Sequence, residues 1–401
     1  MILRDAFERN TGEASAFLQR IIAIKSLSGG EEDLMKVLQG EFAPFCDSAE
    51  LIAIPEDLPE NALYCNVKEG IIYTNRHNLR LKVKGETDET LLLNAHADTV
   101  PATGEMLTAA EKDGCIYGRG ACDDKGQIAS IYLLLKTLKE TGIRPQKNIE
   151  AHIVAEEETG GNGTLALMRE DMRSKLAVVM EPTGLKILTG SRGAVWFKAE
   201  IKGVAGHSGE VKAVKSALKI AAALMGVLED CHSRVFAKLK GAHPFEDFEN
   251  PMPLTFGKLH AGDWPATAPG QAVLEGVFGF LPGISAAELK SEIGQCIQNA
   301  DADIASSVSV RYPFGRDAIV TDRGLYCVKD FGEAVKKAGI APVYSAFPAC
   351  CDAWFYGHEK GIPVIIFGAG ELKDAHSDHE KISLKDVVSC AFALYSYADR
   401  V

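Results

Sequence analysis

Apolar runs separated by turn residues divide the chain into alternating strands and helices. The first 45 residues carry apolar positions at helical spacing, among them Phe17, Leu18, Ile21 and Ile22. Ser28-Gly29-Gly30 followed by Glu31, Glu32 and Asp33 marks a break and a fresh helix start. Short strands are expected over 51–54, 62–67, 78–83 and 91–94, the last a run of leucines ending at Asn94. The helical pattern from Gly126 to about Gly142 is followed by a strand over 148–155. A helix over 165–172 and a strand over 176–180 come next. Such alternation implies a mixed, mostly parallel sheet covered by helices, an α/β fold.

The pattern changes near Gly190. Residues 194–204 alternate apolar and polar, Gly206-His207-Ser208-Gly209 makes a turn, and a helix runs over 214–228. Strands over 254–259, 272–281 and 306–311 and a helix over 285–299 read as a separate α+β domain. After Pro313 a helix over 325–338, a strand over 364–367 and a helix from Ser383 resume the first pattern. The expected organisation is one α/β domain, 1–191 and 313–401, interrupted by an inserted domain, 192–312, of a typical size.

The candidate chemistry lies where strands stop. His96 and Asp98 follow LLLN; Glu156, Glu157 and Glu158 follow IEAHIVA; Glu181 follows LAVVM; His376 follows VIIFGAG by one loop. Asp123 and Asp124 sit in the turn that opens a helix. A glutamate run alone reads as a solvated surface, and Asp-Asp before a helix as a cap. The carboxyl ends of parallel strands share one edge of a sheet, however. Two histidines and several carboxylates converging there repel one another unless a cation is present. Imidazole with carboxylate suits zinc, with cobalt or manganese as substitutes, over calcium or magnesium. Asp123, Glu158 and Glu181 with one hydroxide balance two divalent cations. Asp98 is then placed to orient His96, and a glutamate left off the metals can take a proton from water.

HADTVP, GRGACDDKG, EEETGGNGT, EPT and AHSDHE, in this order and spacing, resemble the zinc metallopeptidase family of acetylornithine deacetylase, succinyl-diaminopimelate desuccinylase, aminoacylase and glutamate carboxypeptidase. The resemblance runs over nearly the whole chain. It implies a zinc exopeptidase-like fold with an inserted lid and dimerisation domain, and two Zn2+ ions. His96 and Glu181 are similar to the ligands of one zinc, Glu158 and His376 to those of the other, with Asp123 bridging. Glu157 is similar to the general base, and Asp98 to the acid behind His96. Gly206-His207-Ser208 resembles the Gly-His-Ser whose histidine reaches a partner subunit's site and holds the oxyanion. Two positions depart from the family pattern: Ala266 stands about where many members have asparagine, and Phe280 near the usual arginine. Arg192, Arg311 and Arg316 are other candidate anion holders. The function implied is cleavage of an N-acyl amino acid amide bond. The alternatives are a di-/tripeptidase or carboxypeptidase of the same family and a catalytically silent binding protein. A dinucleotide site at Gly368-Ala369-Gly370 is a poor match, for it lacks the third glycine.

Composition narrows the partners. The 401 residues are 46% hydrophobic and 24% charged, with net charge −12 and no basic block. That balance argues against nucleic acid and anionic membranes. The polar N-terminus lacks the order of a signal peptide, and ten cysteines occur without CxxC spacing. The expectation is a cytoplasmic homodimer, paired through the lid domain, acting on a small-molecule substrate with its thiols reduced.

Overall fold

A computed structural model describes residues 2–102, 104–207, 209 and 214–400. The chain forms two compact units: Met1–Gly190 with Thr321–Phe347 and Cys351–Val401, and Ser191–Val320 with Pro348–Cys350.

In the first unit the strands lie in the order Ser48–Ala53, His77–Val83, Asn148–Val154, Thr90–His96, Leu176–Val179, Val364–Ile366, Ile187–Ser191. The pairings from Asn148–Val154 through Val364–Ile366 are parallel, and the flanking ones are antiparallel. Leu91, Leu92 and Leu93 are essentially without exposed surface, as a central strand covered on both faces requires. Helix Lys125–Thr141 is buried from Lys125 to Leu138 and stops at Gly142, whose φ of 65° ends it in a left-handed turn. It packs against Thr90–His96 and against helices Thr11–Ile22 and Leu384–Ala398, and Glu32–Phe42 covers the antiparallel pair at the other edge.

Two expected elements differ. Residues 62–67 are not a strand. The Asn61 side chain accepts the Leu63 N–H, and Asn162 takes both the N–H and the carbonyl of Cys65, so side chains supply the bonds a ladder would. The helix expected over 165–172 spans Asn162–Leu167.

The second unit is an antiparallel sheet in the order Leu254–Ala261, Gln271–Phe280, Gly193–Lys202, Val308–Arg316. Helices Ala217–Leu239 and Ala286–Gln298 pack against it, the latter started by a Ser285–Glu288 capping box. The expected boundary at 312 falls inside Val308–Arg316. Pro313 there reads as a break, but it sits in the irregularity between Arg311 and Phe314, where a strand tolerates proline.

Candidate metal centre

The parallel strands deliver their polar residues to one edge of the sheet. His96 ends its strand, and its Nε2 lies 2.9 Å from Asp123 Oδ1. Its Nδ1 is 3.0 Å from the Asp98 backbone carbonyl and 3.4 Å from the Asp98 carboxylate. The ring is therefore aimed first by the main chain of Asp98 and only then by its side chain. That side chain has a further task. Oδ1 accepts the Glu157 N–H at 3.0 Å, and Oδ2 accepts the Glu158 N–H at 3.2 Å and the Ser28 hydroxyl at 2.6 Å.

The turn after Asn148–Val154 is tightly bent. Glu156 has φ 61°, Gly160 119° and Gly161 70°, left-handed values that glycine adopts without strain and glutamate does not. Surrounding bonds hold Glu156 in place. Its fully buried carboxylate pairs with Arg76 and accepts from Tyr73 at 2.9 Å and Asn162 at 3.1 Å. Glu31 accepts the Glu156 N–H at 3.3 Å and pairs with Arg76 at 2.5 Å. This bend turns Glu157 and Glu158 toward Asp98.

Asp123 and Asp124 occupy the loop entering Lys125–Thr141. The N–H groups of Cys122 and Asp123 both donate to Glu380 Oε1 at 3.1 Å, and Glu380 pairs with Arg119 at 2.5 Å. Asp124 stands at the cap position but makes no cap bond. Its Oδ2 accepts the His96 N–H at 2.9 Å, and its buried Oδ1 has no hydrogen-bond partner among the described residues. The cap reading is thus corrected: this carboxylate turns away from the helix start toward the sheet. His376 Nε2 lies 2.9 Å from Glu158 Oε1 and 3.3 Å from Asp123 Oδ2.

Two overlapping groups result: His96, Asp123, Asp124 and Glu181, and Asp123, Glu158 and His376, with ligand atoms of each within 4.8 Å of one another. The sequence-predicted ligands are all in them, and Asp123 belongs to both. Glu157 and Asp98 belong to neither. Sequence reasoning names Asp124 and Glu156 among the strand-end carboxylates without a role in the site, and gives Glu380, Ser28, Glu31 and Arg76 none. The Asp-Asp pair and the final glutamate of AHSDHE were visible signals for Asp124 and Glu380.

The electrostatics of the site favour bound positive charge. Burial, reinforced by neighbouring carboxylates, pushes the carboxyls of Glu157, Glu181 and Asp124 well above their ordinary range, and that of Glu158 upward. Burial opposes charge on His96, but Asp124, Asp123 and Asp98 outweigh it and raise the imidazole. Hydrogen bonds to Asp123 and Glu158 raise His376 to about 10. Burial would raise Asp123, yet its bonds to the two imidazoles bring it down. Without another positive charge the site keeps its imidazoles as cations. Divalent cations fit this oxygen-and-nitrogen donor set, and Asp124 Oδ1, without a hydrogen bond among the described residues, points to the same need.

His207 lies in the second unit. Gly206–His207 pairs antiparallel with Thr267–Ala268, and the exposed ring accepts the Gly209 N–H on Nδ1 at 3.1 Å. A neutral ring so bonded carries its proton on Nε2. Ser208 of the same motif lies outside the described residues. Phe280 is fully buried against Gly193 and serves the core, with no capacity for anion binding. Arg192 donates Nε to the Pro348 carbonyl at 2.5 Å, while its buried Nη1 has no partner among the described residues.

The candidate ligands gather at the carboxyl edge of a mixed sheet, where open α/β folds hold their ligands. The chain belongs to peptidase family M20/M25/M40, whose profile matches residues 92–400. It is 27% identical over 322 residues, 77% of this chain and 80% of the other, to acetylornithine deacetylase from Myxococcus xanthus. In structure it is similar to the di-peptidase Dug1p from Saccharomyces cerevisiae, with TM-score 0.82, 15% identity and coverage of 99% and 97% of the two chains. It is likewise similar to the Bacillus subtilis YXEP protein, a dinuclear metal binding peptidase, with TM-score 0.62, 14% identity and coverage of 97% and 98%. The protein is a metal-dependent hydrolase of this family.

Proposed function

We propose that the enzyme cleaves the amide bond of an N-acyl amino acid, using two zinc ions held by His96, Asp123, Glu158, Glu181 and His376. The supporting observation is the pair of ligand groups that share Asp123, with Glu157 beside them and outside both. When bound, two divalent cations polarise a carbonyl oxygen and acidify water. Glu157 takes the proton of the attacking water and passes it to the leaving amine. Asp98 aims this base by holding its N–H, and fixes His96. His207, supplied by a second subunit, donates Nε2–H to the developing oxyanion.

Dimerisation is read from the edge strand Leu254–Ala261, which is paired on one side and exposed along much of its length. The ten free cysteines suit the reducing cytoplasm. A panel of N-acyl amino acids, dipeptides and tripeptides, each assayed with the metal-loaded enzyme, separates the deacylase from the peptidase. No hydrolysis of any member sinks both and favours a silent binder. Glu157→Gln should keep its metal and lose about 10²–10⁴ in kcat; near-wild-type turnover removes Glu157 from this role. Mixed dimers of Glu157→Gln and His207→Ala chains should regain activity, and no recovery counts against a shared site.

A further inference from the structure

The second unit carries a thiol pair apart from the metal centre. Cys231, in helix Ala217–Leu239, has no exposed surface, whereas Cys296, in helix Ala286–Gln298, is partly exposed. The two side chains interact across the packed helices. Arg234, nearly one turn beyond Cys231, donates Nη2 to Cys296 Sγ at 2.9 Å. Cys296 also lines a surface cavity of about 480 Å³ together with Asp230, Arg234, Lys238 and Glu292. The cavity therefore offers one accessible sulfur beside a fixed cation, with charges of both signs around it. A buried second sulfur lies behind.

The structure assigns Cys231 and Cys296 as a redox pair that a small zwitterionic disulfide entering this cavity oxidises to an intrachain disulfide, stapling the two helices. Cys296 attacks first, because it is the accessible sulfur and stands beside the Arg234 guanidinium. Cys231 lies behind it and is left for the second step. In the first step the Cys296 thiolate displaces one thiolate from the small disulfide and forms a mixed disulfide. In the second, Cys231 loses its proton to the released thiolate and attacks the Cys296 sulfur. The second small thiolate leaves and takes up the proton lost by Cys296. Two protein thiols are oxidised and one small disulfide becomes two small thiols.

The test uses the full-length protein and glutathione disulfide as the probe. After incubation, thiols are counted under denaturing conditions and peptides mapped without reduction. The expected result is a loss of two thiols from the ten cysteines and a Cys231–Cys296 cross-linked peptide. C231S should stop at the mixed disulfide on Cys296, and C296S should form neither product. In the C231S background R234Q should slow mixed-disulfide formation several-fold. A wild-type protein that keeps Cys231 and Cys296 as free thiols while other cysteines react overturns the assignment. So does a C231S chain that leaves Cys296 unmodified. The wild-type map alone decides the matter if a variant fails to fold, and hydrolysis plays no part in the readout.

Discussion

Replacing Asp98 by asparagine changes one oxygen for an amide nitrogen at a point where every neighbour is a donor. Oδ1 faces the Glu157 N–H at 3.0 Å and His96 Nδ1 at 3.4 Å; Oδ2 faces the Glu158 N–H at 3.2 Å and the Ser28 hydroxyl at 2.6 Å. Ser28 can turn its hydroxyl to accept, but a backbone N–H cannot. Whichever way the amide lies, its NH2 confronts one N–H of the glutamate turn. A hydrogen bond to a charged group contributes about 1.5–3 kcal/mol. If that loss is expressed as misplacement of Glu157 or Glu158, it corresponds to roughly 10- to 150-fold in rate. Ser28→Ala also removes a bond to this charged group, about 1.5–3 kcal/mol, but it leaves both N–H bonds in place, so the loss falls on stability and not on the glutamate turn. The assay is kcat/KM at saturating metal for the best substrate of the panel, with metal content measured on the same samples. Asp98→Asn should fall well below Ser28→Ala. Equal effects, or an Asp98→Asn enzyme within twofold of wild type, would refute the claim that this carboxylate holds the turn.

Three other outcomes are expected. Arg76→Met leaves the carboxylates of Glu31 and Glu156 buried without their cation, and should cost about 3–5 kcal/mol in a denaturant titration; a loss under 1 kcal/mol would show that the cluster is not what holds the strained Glu156. Metal binding should release protons, because His376 is raised to about 10 by its carboxylate neighbours and must be neutral to ligate. Affinity should therefore climb as pH rises toward that value, whereas pH-independent binding contradicts the ligand assignment. In the metal-free protein the sign is opposite: His376 stabilises fully below its unfolded value near 6.5, and the contribution fades as pH rises through about 10.

Much of the site was legible because it is written locally. An apolar run such as LLLNAH can only be a covered strand, and parallel strands must present their ends together, so His96, Glu158, Glu181 and His376 could be assembled without coordinates. The supporting residues were not legible in this way. Arg76 and Glu156 are 80 positions apart, and Glu380 and Asp123 are 257 apart. Pairings of that span leave no periodicity behind. Asp124 was misread for a different reason, since a helix cap and a side chain turned back on the preceding strand have the same sequence. Residues 62–67 and Pro313 show the remaining gap: side chains from a distant turn replaced a strand's ladder, and a bulge accommodated a proline within one.

A two-metal hydrolase can be checked by titrating divalent metal into chelator-stripped protein while following metal bound per chain and hydrolysis of the substrate panel together. No hydrolysis is expected without metal, and activity should saturate at two equivalents per chain. Hydrolysis that survives metal removal, or full activity at one equivalent, would contradict it.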